Sequence, residues 1–147
     1  MHKLSMDDLQ LMNMLERITG ARASDVVLEN EVLIFAVPDS EFGRAVGKAG
    51  ANIYRLERAF NKHIEIVKSP SSREQFFGSL LHPAMLKEFI EKERDGKRSL
   101  EILVDNSDRG LAIGRSGDKI KRAKMLGKRY FGYEDVKIIT RGDGRKI

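Results

Sequence analysis

The chain contains no cysteine among its 147 residues, so disulfides, thiolate metal sites and cysteine nucleophiles are all excluded. Histidine is scarce as well. His2, His63 and His82 are isolated from one another, with no HxxxH or HExxH spacing, and no metal site is expected from them. No apolar run is long enough to cross a bilayer, no tract is of low complexity, and the opening residues MHKLSMDDLQ lack an apolar signal region. These absences point to a soluble protein in the reducing cytoplasm. With 41% hydrophobic and 33% charged residues, the composition is that of a folded chain, long enough for one medium domain or two small ones.

The net charge of +5 is unevenly placed. Residues 1–67 carry 8 basic and 10 acidic groups, a balance of −2, whereas residues 68–147 carry 19 and 12, a balance of +7. Between Arg109 and Arg129, eight cations (Arg109, Arg115, Lys119, Lys121, Arg122, Lys124, Lys128 and Arg129) face Asp118 alone. A solvated helix face and a site for a polyanion both account for such a cluster; the second gains from counterion release.

Sliding the sequence against itself uncovers a repeat. At an offset of 67, Val37, Ser40, Gly43, Ala45, Gly47, Gly50, Ile53 and Arg55 meet Val104, Ser107, Gly110, Ala112, Gly114, Gly117, Ile120 and Arg122, eight identities in the nineteen positions 37–55. Farther on the offset becomes 72, aligning Glu65, Ile66 and Val67 with Lys137, Ile138 and Ile139, with five extra residues in the later copy. Each copy has the pattern of one α-β-β-α-α-β unit. Ser5 stands three before Asp8 in a capping-box spacing, and Leu11, Leu15 and Ile18 share a face, which predicts a helix over 7–19. Two β-rich runs flank Asn30 and Glu31. In the second copy a serine again precedes a helix, and Asp95-Gly96 is a type I′ hairpin signal between alternating runs.

Two glycines three apart then interrupt a helical pattern in each copy, at Gly47 and Gly50 and at Gly114 and Gly117. In a helix each would cost about 1 kcal/mol relative to alanine, so a break is expected, with Val46 or Ile113 closing a short helix before it. The first glycine suits a positive φ, the second a close approach of a phosphate or sugar to the backbone at the next helix start, where free N–H groups favour an anion. Lys48 and Arg115 add mobile charge. On the following helices, Ile53, Leu56 and Phe60, and Ile120, Ala123 and Leu126, are expected to face the two cores.

VGKAGANI and IGRSGDKI in this setting resemble the signature of the KH-domain family, and the two copies cover nearly the whole chain. The resemblance is to tandem type II KH domains, residues 1–68 and 69–147, each with a mixed three-stranded sheet packed against helices, and most of all to archaeal NusA-like transcription elongation and termination factors. It implies no enzymatic activity and no cofactor. It also implies single-stranded RNA as ligand, held at Val46, Gly47, Lys48, Ala49, Gly50 and Arg55 and at Ile113, Gly114, Arg115, Ser116, Gly117, Lys119, Lys121 and Arg122, and RNA polymerase as a partner. A KH-type component of a ribosomal or other RNA-protein assembly is the alternative. More phosphate affinity is expected from the second copy. Lys121, Lys124 and Lys128 are read equally as contacts or as solubilising charge. Tyr130, Phe131 and Tyr133 are read as base platforms or, more commonly for such rings, as a seal between two small domains.

A phosphate-loop enzyme is disfavoured. Gly43 and Gly47 enclose three residues where the Walker pattern needs four, and Ala49 replaces the magnesium-binding hydroxyl. The carboxylate pairs Asp7-Asp8 and Glu134-Asp135 fall where helix starts and turns explain them.

Overall fold

A computed structural model describes residues 6–141; the Ser5 half of the capping box, His2 and the tail after Arg141 lie outside the described residues. The chain divides into two compact units, Met1–Ser69 and Pro70–Ile147. Ser69 is tied into the first, its amide donating to the Val37 carbonyl (2.7 Å) and its hydroxyl paired with that of Ser24 (2.6 Å).

In the first unit, helix α1 (Met6–Thr19) is followed by strands β1 (Asp25–Glu29) and β2 (Val32–Val37), helices α2 (Asp39–Val46) and α3 (Ala51–Phe60), and strand β3 (His63–Lys68). The second unit has α4 (Arg73–Leu80), β4 (Leu86–Arg94), β5 (Lys97–Val104), α5 (Arg109–Ile113), α6 (Asp118–Phe131) and β6 (Asp135–Ile139). The protein is therefore α+β, with two three-stranded mixed sheets. In each, the middle strand (β2 or β5) pairs antiparallel with its predecessor and parallel with the last strand.

The repeat detected in the sequence reappears in the strand register. Ile34 faces Glu65 and Phe35 faces Ile66, while Glu101 faces Lys137 and Ile102 faces Ile138. The middle strands thus correspond at the offset of 67 and the last strands at 72. Four of the five additional residues lengthen α6, which has 14 residues against 10 in α3, and the fifth lies in the turn to β6.

Alternation along β2 sends Leu33, Phe35 and Val37 into a core with Leu15 of α1, Ala45 of α2 and Leu56 of α3; Ile53 and Phe60 pack at its edge, as their spacing predicts. Leu100, Ile102 and Val104 are the buried counterparts on β5, with Ala123 and Leu126 of α6. The Asp95-Gly96 hairpin closes with positive φ at both residues, as a type I′ turn requires. Ser72 caps α4, its hydroxyl accepting from the Gln75 amide at 3.1 Å.

The aromatic segment at the end of α6 packs within the second unit. Phe131 lies 5.5 Å and 5.7 Å, centroid to centroid, from Phe76 and Phe77, and Tyr130 meets Phe76 edge-on at 5.6 Å. Tyr133 is 1% exposed and donates its hydroxyl to Glu91 at 2.7 Å. Its ring is not a platform for bases. The Tyr130 and Phe131 rings pack against Phe76 and Phe77 of the second unit's own α4. Gly127 completes the packing: a Cβ there would lie 2.9 Å from Val136 Cγ2 and 3.3 Å from Phe77 Cζ.

Around Tyr133 the polar atoms form a clasp. Arg98 donates to Glu91 (2.9 Å) and to the Phe131 carbonyl (2.8 Å), and its guanidinium stacks 4.7 Å over the Tyr133 ring. The bond from Tyr133, then that from Arg98, holds the Glu91 carboxyl below its ordinary range; burial and the bond to Glu91 push the Tyr133 phenol up. Because the folded Glu91 pKa is depressed, its contribution is present above the unfolded value, near 4.5, and disappears as pH falls through the folded one. In urea melts at pH 7, Tyr133→Phe is expected to lose about 1 kcal/mol. Glu91→Gln should destabilise at pH 7, and its difference from the wild type should shrink below the ordinary glutamate pKa.

Candidate nucleic-acid interface

Both interruptions adopt one backbone path. Gly47 has φ 79° and ψ 165°, Ala49 φ 55° and ψ 28°, Gly50 φ 78° and ψ 15°; the matching values at Gly114, Ser116 and Gly117 are 82° and 173°, 55° and 24°, and 75° and 20°. Helices α2 and α5 end at Val46 and Ile113 as anticipated, and α3 and α6 start directly after the second glycine with no side-chain cap.

The two glycines of a pair do different work, and the division differs from the sequence expectation. Positive φ is needed at both. Crowding occurs at the first: a Cβ on Gly47 would lie 2.8 Å from the Asn52 amide nitrogen, and one on Gly114 2.9 Å from that of Lys119 and against Asp118 Oδ1. The first glycine is packed directly against the second residue of the following helix, where no side chain fits. The second glycine faces open space at Gly50, with only Ile120 Cγ2 within 4 Å at Gly117 (3.7 Å). The amides of Gly50 and Gly117 are already spent on the carbonyls of Gly47 and Gly114, both at 3.1 Å.

Ala49 and Ser116 are left-handed without being glycine or asparagine, a conformation that costs roughly 1 kcal/mol each. Composition gives no hint of this. Strain repeated at corresponding positions of two loops implies that the path itself is what has been kept.

In the first unit the predicted residues gather around this turn. Lys48 and Ala49 are exposed, Val46, Gly47 and Gly50 half-buried. Arg55 donates to Asn52 Oδ1 (3.1 Å), and Asn52 Nδ2 donates to the Arg44 carbonyl (2.8 Å), pinning the end of α2 to the start of α3. Asn52 was not among the predicted residues; its position two after an uncapped Gly50 is the signal that would have found it. In the second unit Arg115 and Ser116 are exposed beside Ile113, Gly114 and Gly117, and Lys121 and Arg122 follow on the first turns of α6.

Two of the clustered cations are committed elsewhere. Lys119 donates to the His82 carbonyl at 2.6 Å. Lys124 donates to Asp135 Oδ1 (2.5 Å) and to the Val136 carbonyl (2.8 Å), bracing α6 against β6. Burial alone would raise the Asp135 carboxyl, but the Lys124 ammonium more than offsets it and holds it low. Lys124 thereby has a structural role, which its place in a charge run did not indicate. Among the described residues no group of three His, Asp or Glu could hold a metal ion, and no helix is long and apolar enough to cross a membrane.

No protein-family model matches the chain. Curated relatives do. A protein of Halococcus morrhuae described as "Probable transcription termination protein NusA" is 29% identical over 135 residues, covering 92% of this chain and 96% of that one. Proteins of the same description from Methanococcus vannielii and Methanocaldococcus jannaschii are each 26% identical, over 94% of this chain and 80% and 75% of theirs. These relatives support a NusA-like family. Among solved structures, "Crystal structure of APE1850" is 33% identical, covers 92% of this chain and all of its own, and superposes with a TM-score of 0.86.

The asymmetry within each glycine pair is testable by urea unfolding. Gly50→Ala and Gly117→Ala should lose roughly 1–2 kcal/mol, from left-handed strain. Gly47→Ala and Gly114→Ala should lose roughly 1–3 kcal/mol more, because a methyl group is forced onto a helix amide.

Proposed function

We propose that residues 1–68 and 69–147 are tandem type II KH domains that bind single-stranded RNA at their two glycine turns, as a non-enzymatic factor working with RNA polymerase in transcription termination or elongation. The observation that carries the RNA reading is the duplicated left-handed turn: at each, backbone free of side chains at both glycines, an uncapped helix start and an exposed cation (Lys48 or Arg115) occur together. A phosphodiester needs those features, since it is anionic, is recognised through main-chain donors and must approach closer than a side chain allows. The transcription role is supported by the relatives described as probable transcription termination proteins.

Each turn begins a helix with exposed cations in its first two turns: Arg55 and Arg58 in α3, Lys121 in α6. Glu57, the acid within α3, accepts from the Ile64 amide at 3.4 Å and so faces β3. Nucleic-acid backbone following either turn would meet positive charge.

The test is a titration of single-stranded RNA at several salt concentrations with Lys48→Asp/Ala49→Asp and Arg115→Asp/Ser116→Asp made separately. Aspartate tolerates left-handed φ better than most residues, so both variants should fold. Both should bind more weakly, the second more so, and each lost phosphate contact should flatten the log–log salt slope by about 0.7. Unchanged affinity in both variants would remove the turns from the interface.

A further inference from the structure

The outer face of the first unit carries a feature that the glycine turn does not use. Tyr54, one turn into α3, is 60% exposed, although an aromatic ring on a helix that packs a core would ordinarily be turned inward. It borders an open pocket of about 340 Å³ lined by Ile18 of α1 and by Tyr54, Arg55, Arg58 and Ala59 of α3. The Arg58 guanidinium lies 5.7 Å from the Tyr54 ring centroid, and among the described residues no acid lines the pocket. An apolar floor, a largely exposed ring and two guanidiniums are a combination suited to a planar aromatic ligand that carries a negative charge.

Position relative to the turn identifies that ligand. Ala51, Tyr54, Arg55 and Arg58 recur at helical spacing and form one stripe that begins at the Gly50 turn and runs for about 10 Å along α3. At the offset of 67 their counterparts are Asp118, Lys121, Arg122 and Met125, so the second unit keeps cations and has no ring. We infer that Tyr54, with Arg58 and Ile18, forms a base-stacking subsite for a nucleotide of the same single-stranded RNA that engages the Gly47–Gly50 turn, an element confined to the first unit. This subsite rests on the RNA reading above. Arg55, already oriented by Asn52, supplies charge between the turn and the ring. The two units then have different tasks: the second holds phosphates, and the first also holds a base.

The experiment uses the full chain and a short fluorescein-labelled oligouridine, with Tyr54→Ala, Tyr54→Phe, Arg58→Ala and Lys48→Asp/Ala49→Asp compared by anisotropy. Tyr54→Ala is expected to weaken binding roughly tenfold, while Tyr54→Phe retains the affinity. Because a ring releases no counterions, Tyr54→Ala should leave the salt slope unchanged, whereas Arg58→Ala should flatten it by about 0.7. Oligouridine should also quench tyrosine emission in the wild type more than in Tyr54→Phe. If the loop variant loses affinity while Tyr54→Ala does not, the subsite is overturned and the clamp stands. If neither variant changes binding, the RNA reading fails and the subsite with it. Tyr54→Ala that spares RNA but abolishes binding of an oligoglutamate peptide overturns the inference in favour of a protein ligand.

Discussion

Left-handed backbone at the turn between two short helices is the constraint on which the remaining structure depends. Reversing the chain within four residues, while starting a new helix without a capping side chain, requires positive φ at three of those four positions in each unit. Glycine meets that requirement at two; alanine or serine accepts the strain at the third. The reversal places the amide of Asn52 or Lys119 directly behind the first glycine, where any side chain would clash with it.

The surrounding architecture keeps this turn in place. In the first unit Asn52 bonds across the turn and Arg55 in turn holds Asn52. In the second, Lys124 braces α6 through Asp135 and Val136, and the far end of the same helix is locked by the Arg98–Glu91–Tyr133 clasp. The longer α6 needs that second anchor because its last turn extends beyond the point at which α3 has ended. The aromatic residues there are therefore explained by the length of the helix they terminate.

Much of this was legible in the sequence, and for identifiable reasons. The change of offset from 67 to 72 is a property of residue order, and strand pairing preserves it, so Ile34 with Glu65 and Glu101 with Lys137 repeat the same register. Asp95-Gly96 and Ser72 act through local backbone geometry, which neighbouring residues decide. The paired glycines are local too, although their internal division of labour was not: crowding at Gly47 comes from a helix amide five residues away, brought there by the fold of the turn. The partners of Lys119 and Lys124 and the burial of Tyr133 depend on residues 37, 11 and 42 positions distant. A charge count cannot distinguish a lysine bonded to a carbonyl from one awaiting a phosphate. For the same reason the basic cluster between Arg109 and Arg129 overstates the charge that α6 has to offer.

The central claim is that the two left-handed glycine turns, with the helix starts that follow them, receive the backbone of a single-stranded nucleic acid. Amide chemical shifts followed during titration with single-stranded RNA address it at the atoms concerned. The account predicts that Asn52 and Lys119, with their neighbours in the two turns, move first and farthest. Shifts concentrated on the β4–β5 hairpin or along the sheets, with both turns unmoved, would contradict it.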